Sequence, residues 1–369
     1  SVNTLLSRQL RIMLLETLRE FKDFLIQYRD GNAFGEDYED LTFIRSPFIT
    51  VSVEPVLGTD ELRLIPSIKE IHETMSRCFE KILKVGARVP RIETILFPEF
   101  EGMGYMFSVS RREAAVSAII NEALESVLAN RTGPEDYLKC YNDLLYILDG
   151  RATKSLENYF QIDPIPFLRE FGNRVDDYDA LSGEICLFRN KIPLNMIEID
   201  CSIVNNTMRS VLYNLRTQIC DFFLEELRTN NRELCHVFDE IADRISGMPE
   251  TTQEVVDLFN FLVDSRDNTM FSLRSKLARC AELILFLFDY QPPSDEDIQL
   301  NTRTLTWPKE METVMELATT RLNMRKEFVE GVLRTRRDNF EQKISRMQLA
   351  IDQFKKKDPP VLTVEEMEQ

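Results

Sequence analysis

Residues 247–290 constrain this chain more than any other stretch. They read GMPETTQEVVDLFNFLVDSRDNTMFSLRSKLARCAELILFLFDY. Thr251 stands three residues ahead of Glu254, the form of a capping box, and Pro249 just upstream keeps the preceding helix out. Val255, Leu258, Phe259, Leu262 and Val263 then follow at helical spacing. Beyond the polar residues 265–268 the stripe resumes as Met270, Leu273, Leu277, Cys280, Ile284 and Leu287. Its steps alternate between three and four, as in a helix seated against another helix. Gln291-Pro292-Pro293 stops it.

The residues before this stretch obey the same rule. Over 202–246, Val204, Met208, Val211, Leu212, Leu215, Ile219, Phe222, Phe223 and Leu227 line one helix face. Leu234, Val237, Phe238, Ile241 and Ile245 continue it. Segments 202–246 and 251–289 therefore form two consecutive long arms, antiparallel when the turn at Gly247-Met248-Pro249 folds back. After Pro293 a polar loop leads to Trp307-Pro308, and a third helix is expected over 309–357. Its isolated Gly331 costs about 1 kcal/mol. Val329, Leu333, Phe340, Ile344, Met347, Ile351 and Phe354 supply its stripe, and at 1.5 Å per residue it spans about 70 Å. Lys355-Lys356-Lys357 suits the negative end of its dipole, and Asp358-Pro359-Pro360 ends it.

Upstream, Leu6, Leu10, Met13, Leu14, Leu18, Phe21, Leu25 and Tyr28 give a first helix, ended by Asp30-Gly31-Asn32. The period changes over 47–53 and 61–65, which read as a small β-hairpin about a turn at 57–60. Ser67 and Glu70 start a helix through a second capping box. A connector with two prolines spans 86–98, and helices follow over about 111–130, 134–148 and 154–160. Pro164-Ile165-Pro166 marks a joint, and 196–201 is a short extended piece. The expected fold is all-α, an elongated stack of helical bundles with long antiparallel helices and one small β-hairpin. Its expected segments are an N-terminal helix over 1–33, a helical bundle with the hairpin over 34–163 and a connector over 164–201. A long helical hairpin over 202–291 and a long helix with linker over 292–369 complete it.

Composition excludes several function classes. A net charge of −17 opposes nucleic-acid binding, which needs a basic surface. No run of eighteen apolar residues offers a membrane span. The seven cysteines contain no CxxC pair, which removes zinc-knuckle and thioredoxin-type sites. None of the twelve glycines precedes a lysine, so no phosphate-cradling Gly-Lys-Ser/Thr loop exists. His72-Glu73 opens like a zinc-protease helix, but Ser76 occupies the second ligand position. With two histidines in all, a nucleophilic triad has no material. No catalytic, cofactor-binding or metal site is expected. The candidate functional residues are the two arm seams (Val204, Met208, Val211, Leu215, Ile219; Met270, Leu273, Leu277, Cys280, Ile284, Leu287) and a basic partner face at Arg334, Arg336 and Arg337.

Four stretches in order carry a resemblance: 88–98, 187–204 with Asp200-Cys201-Ser202-Ile203-Val204 at the entry to the long helix, 248–290, and 307–360. Together they resemble the stem, or tail, of axonemal dynein heavy chains. The resemblance implies a rod of helical bundles N-terminal to the linker and motor ring of a microtubule motor of cilia and flagella. Such a stem assembles subunits, attaches to the doublet and transmits force without hydrolysing ATP; ATP and Mg belong to the ring, outside this segment. The partners it implies are an inner-arm light chain with actin or centrin for a single-headed type. For other types they are a second heavy chain or intermediate chains, and doublet docking proteins serve either. The location implied is the cytoplasm, in the cytoskeleton of the ciliary axoneme. The alternative reading is a stand-alone helical scaffold or tether of a cytoskeletal complex.

Overall fold

The computed structural model describes residues 2–29, 46–56, 58–86, 88–97, 99, 104–106, 109–162 and 167–356. Helix makes up 79% of them. In order they form α1 (Val2–Ile26), β1 (Ile49–Pro55), β2 (Leu62–Ile65), α2 (Ile68–Gly86), α3 (Ile92–Leu96), α4 (Ala114–Ala129), α5 (Thr132–Leu138) and α6 (Leu145–Leu148). Then come α7 (Arg151–Phe160), α8 (Leu168–Leu187), β3 (Lys191–Leu194), β4 (Ile197–Asp200), α9 (Ser202–Ser246), α10 (Thr252–Asp264), α11 (Met270–Tyr290) and α12 (Asp295–Lys356). Packing divides the chain into two compact units, Ser1–Ile219 and Cys220–Gln369, with the boundary inside α9. The expected helix stops at Asp30-Gly31-Asn32 and 357–360, and the joint at Pro164-Ile165-Pro166, lie outside the described residues.

The first unit is built on a four-stranded sheet, which corrects the single hairpin expected. Its order is β2-β1-β4-β3, with β1–β2 and β3–β4 antiparallel and β1–β4 parallel. The expected hairpin is one half of it, and the extended piece before α9 is strand β4. The missed strand, β3, carries Pro193. A proline demotes a strand in a sequence reading, yet β3 lies at the sheet edge, where a missing N–H costs no ladder bond. Leu194 pairs with Ile197 across a two-residue turn, and Asn195 takes the left-handed conformation there (φ 52°) that asparagine tolerates best after glycine.

The stretch 164–201, expected as a connector, also holds α8, whose Phe171, Val175 and Ile185 are buried at helical spacing. Apolar residues of α1, α2, α4, the sheet and the start of α9 share one core, among them Leu18, Leu25, Phe79, Ile120, Val51, Ile199 and Val204. The capping box before α2 forms as expected: the Glu70 amide donates to Ser67 Oγ (3.3 Å) and the Ser67 amide to Glu70 Oε2 (2.8 Å).

The second unit is a three-helix arrangement. The Cys220–Ser246 part of α9 runs one way, α10 and α11 return, and α12 runs parallel to α9. Side-chain pairs fix these directions. Glu226 meets Arg279 and Glu233 meets Lys276 in the antiparallel sense, while Arg228 meets Asp297 and Asp239 meets Arg303 in the parallel sense.

The return arm is continuous over the polar residues 265–268, as one arm over 251–289 requires: Ser265–Thr269 is a π-helical turn in which the Met270 amide donates to the Ser265 carbonyl. One expectation is corrected here: α12 begins at Asp295, not after a loop ending at Trp307-Pro308. Ser294 caps it, accepting from the Asp297 amide (3.2 Å) while its hydroxyl donates to Asp297 Oδ2 (2.6 Å), and three acidic residues favour the positive end of the dipole. Pro308 sits inside this helix. A proline there costs about 3 kcal/mol or more, and packing offsets it: Trp307 stacks on Phe238 with centroids 5.6 Å apart.

Candidate functional site

In the first unit, Val204, Met208, Leu215 and Ile219 of the expected seam are buried and Val211 is half-buried, while Leu212 is buried beside it. Polar groups accompany this seam at its start. Asn205, itself buried, accepts from the Tyr141 hydroxyl (2.7 Å) and donates to Asn190 Oδ1 (3.1 Å). Burial pushes the Tyr141 hydroxyl far above its ordinary range, and it raises the Cys201 thiol to about 11. Both groups stay protonated at neutral pH. They are structural donors, not nucleophiles.

In the second unit the α11 seam is made by Leu273, Cys280, Leu283 and Leu287, all buried. Of the expected members, Met270, Leu277 and Ile284 are only half-buried, and Leu283 was not among them. A charged flank runs beside this seam: Lys276 and Arg279 reach Glu233 and Glu226 of α9 (3.1 and 2.9 Å). Burial raises the Cys280 thiol to about 11, so it behaves as a small hydrophobe.

α9 presents Phe223, Leu227, Leu234, Phe238, Ile241 and Ile245 to this seam. α12 answers with Met311, Met315, Ala318, Leu322 and Val329, spaced by threes, fours and sevens. Polar groups are set into the apolar surface between α9 and α12. Arg228 donates through Nε and Nη2 to both oxygens of Asp297 (2.7 and 3.0 Å), Asn231 donates to Asn301 Oδ1 (2.6 Å), and Cys235 Sγ lies 3.5 Å from Thr304 Oγ1. The Arg228 guanidinium holds the Asp297 carboxyl below the usual carboxylate range, with Ser294 assisting against the opposing effect of burial. Polar pairs inside an apolar seam reject shifted alignments, because each shift strands a buried polar group. They fix how α9 and α12 align. Sequence reasoning missed them; the signal was Arg228, Asn231 and Cys235 at seam spacing within an otherwise apolar stripe.

Beyond Val329 the covering helices stop. Arg321 donates to the Ile245 carbonyl (2.7 Å) and Arg325 to the Pro249 carbonyl (3.0 Å), tying α12 to the end of α9 and the turn after it. From Gly331 to Lys356 every residue is exposed, including Phe340 (64%) and Met347 (66%). Arg334, Arg336 and Arg337 lie on this exposed half. Arg334 reaches Glu330 (3.8 Å), and Arg337 reaches Asp338 (2.8 Å) and Glu341 (3.8 Å). Exposed pairs of this kind contribute little.

Among the described residues no group of three or more His, Cys, Asp or Glu side chains could hold a metal, and no helix is long and apolar enough to cross a membrane. His236 is exposed beside Glu240 at 3.5 Å. This arrangement aligns helices and offers surface.

No family model matches the chain. It is similar over its whole length to dynein axonemal heavy chain 3 of Mus musculus (25% identical over 399 aligned positions) and of Homo sapiens (24% over 401). Over 85% of its length it is similar to dynein axonemal heavy chain 12 of Rattus norvegicus (23% over 324). The chain spans 9–10% of the length of these curated relatives. The stretches that carry the resemblance in the sequence fall on elements of both units, and along its whole length the chain is similar to a segment of axonemal dynein heavy chains.

Proposed function

We propose that this segment belongs to the stem of an axonemal dynein heavy chain, N-terminal to the linker and motor ring. In this reading it assembles subunits, helps attach the motor to the doublet and transmits force, and it does not itself turn over ATP. It works in the cytoskeleton of the ciliary and flagellar axoneme. The observation that carries the reading is the second unit, where three long helices are aligned by polar pairs inside an apolar seam. That is an arrangement for holding a fixed alignment under load. The absence of any glycine followed by lysine in the sequence supports it, since a Walker-type phosphate loop requires that pair.

Partner subunits are assigned to the exposed half of α12. Residues 331–356 carry seven Lys or Arg against three Asp or Glu, in a chain of net charge −17. An acidic amphipathic helix of another dynein subunit suits such a surface, its apolar side on Phe340, Ile344 and Met347 and its carboxylates near Arg334, Arg336 and Arg337. A light chain accompanied by actin or centrin fits a single-headed motor; a second heavy chain or intermediate chain fits the others.

The test is a gliding or trap assay on a full-length heavy chain carrying Phe238→Ala. Force at the cargo microtubule is expected to fall while the ATPase of the ring holds. A parallel fall in ATPase would mean that this segment regulates the ring and that the passive reading is wrong. In a calorimeter the segment alone should bind neither ATP nor Mg-ATP at micromolar concentration; binding would overturn the assignment of nucleotide to the ring alone.

A further inference from the structure

We propose that the second unit contains a built-in flexural joint, where the π-helical turn Ser265–Thr269 and Pro308 of α12 face one another across a single cleft. The cleft has a volume of about 360 Å3, and Arg266, Asp267 and Met270 line it from one side and Pro308, Glu312 and Met315 from the other. Both walls are the places where their helices are weakest. A π turn replaces the i→i+4 ladder with longer-range bonds, as in the Met270 amide reaching the Ser265 carbonyl. Pro308 has no N–H, so the Thr304 carbonyl loses its partner in the same turn of α12. Two buried polar groups beside these breaks, Ser265 Oγ and Trp307 Nε1, have no hydrogen-bond partner among the described residues.

Side-chain pairs clamp the helices on either side of this level. Towards the start of α12, the Arg228–Asp297, Asn231–Asn301 and Glu226–Arg279 pairs clamp the three helices together. Towards the other end, Arg321 and Arg325 bind the carbonyls of Ile245 and Pro249, and Arg244 lies over the Phe261 ring at 3.9 Å. Between the two clamps α12 loses a backbone bond at Pro308 and the return arm exchanges its α ladder for π bonds at the same level, while α9 passes through with its helix unbroken. Two weak walls around an underfilled cleft, with one intact helix as spine, let the clamped blocks tilt about α9 without breaking either clamp. The proposal concerns compliance only and stands whether or not the segment is a stem.

Hydrogen–deuterium exchange on the whole 369-residue chain tests it. Amides over 266–273 and 305–312 are expected to exchange at least tenfold faster than those over 234–241, the stretch of α9 at the same level. Pro308→Ala restores the missing donor. Because the two walls share one cleft, it should slow exchange at 266–273 as well as on α12, each by severalfold, and leave 234–241 unchanged. Leu277→Phe, which fills the cleft from the α11 side, should slow both walls in the same way and serves if the first variant folds poorly. Exchange on the two walls as slow as on α9 would overturn the joint. So would a Pro308→Ala effect confined to α12, since that is helix propensity alone.

Discussion

The two halves of α12 share one helix and one apolar repeat, and they meet opposite fates. Met311, Met315, Ala318, Leu322 and Val329 are buried against α9, α10 and α11. Leu333, Phe340, Ile344, Met347, Ile351 and Phe354 repeat at the same steps and stand in water. The polar inserts distinguish the halves. The covered half carries Asp297, Asn301 and Thr304 where α9 supplies Arg228, Asn231 and Cys235 to meet them. The exposed half carries Arg334, Arg336 and Arg337, and Arg334 and Arg337 pair with neighbours on the same helix. A periodic stripe marks a face that can pack; matched polar pairs at the same level show that a particular partner does.

The sharpest way to break this comparison is to truncate one large side chain in the covered half. Phe238 is fully buried and stacks on Trp307. Phe238→Ala removes that contact and leaves a cavity, at a cost of about 3–5 kcal/mol. Denaturant unfolding of the chain reads it as a lowered midpoint with unchanged slope. A loss under 1 kcal/mol would mean that this level collapses freely and that the seam there is no firmer than the exposed half.

A smaller effect is expected at the ion pair. Asp297 is 7% exposed, and Arg228→Ala leaves its carboxylate buried without its guanidinium, for about 3 kcal/mol. Replacing both by apolar residues of similar size, Arg228→Met with Asp297→Leu, should recover most of that, because no buried charge is stranded. The pH dependence has a definite sign. Asp297 titrates below its ordinary range in the folded chain, so its stabilisation is fully present above the unfolded carboxylate value near about 4 and is lost as pH falls through the folded value. Asp297→Asn should flatten the acid limb of the stability curve. An unchanged limb would show that the pair contributes nothing to the alignment of α9 and α12.

Local chemistry was legible in the sequence, and matching across distance was not. Both capping boxes, at Ser67/Glu70 and Thr251/Glu254, form as the three-residue spacing predicts. The α9 seam follows its steps of three and four through forty residues because one helix carries the whole pattern. The sheet was only half visible: β1 and β4 are parallel neighbours about 150 residues apart, and no local period encodes such a pairing. β3 was hidden by Pro193 and α8 by the prolines upstream of it, since proline punctuates a sequence whether the element beside it is an edge strand or a helix start. Pro308 misled in the same way, because tertiary packing overrode its local cost. On α11 the expected Leu273, Cys280 and Leu287 are buried, while Met270, Leu277 and Ile284 are half-buried and Leu283 is the added seam residue; the partners of Lys276 and Arg279 on α9 are seen only in the fold. Arg334, Arg336 and Arg337 were legible as exposed charge; what they meet is not written in this chain.

The smallest expected effect tests the exposed half directly. Phe340 and Met347 are 64% and 66% exposed and make no core contact. Glutamine matches methionine in helix propensity and is no worse than phenylalanine, so Phe340→Gln with Met347→Gln removes apolar surface without weakening the helix itself. The unfolding midpoint of the chain should then stay within about 0.5 kcal/mol of the parent, as for surface changes generally. A larger loss would show that this face is already covered in solution. Dilution then separates the ways of covering it: a loss that fades as the parent is diluted marks association with a second copy, because mass action couples stability to concentration, and a loss independent of concentration marks a contact within the chain. Either outcome would erase the difference between the halves of α12 and remove the free surface that an acidic partner helix requires.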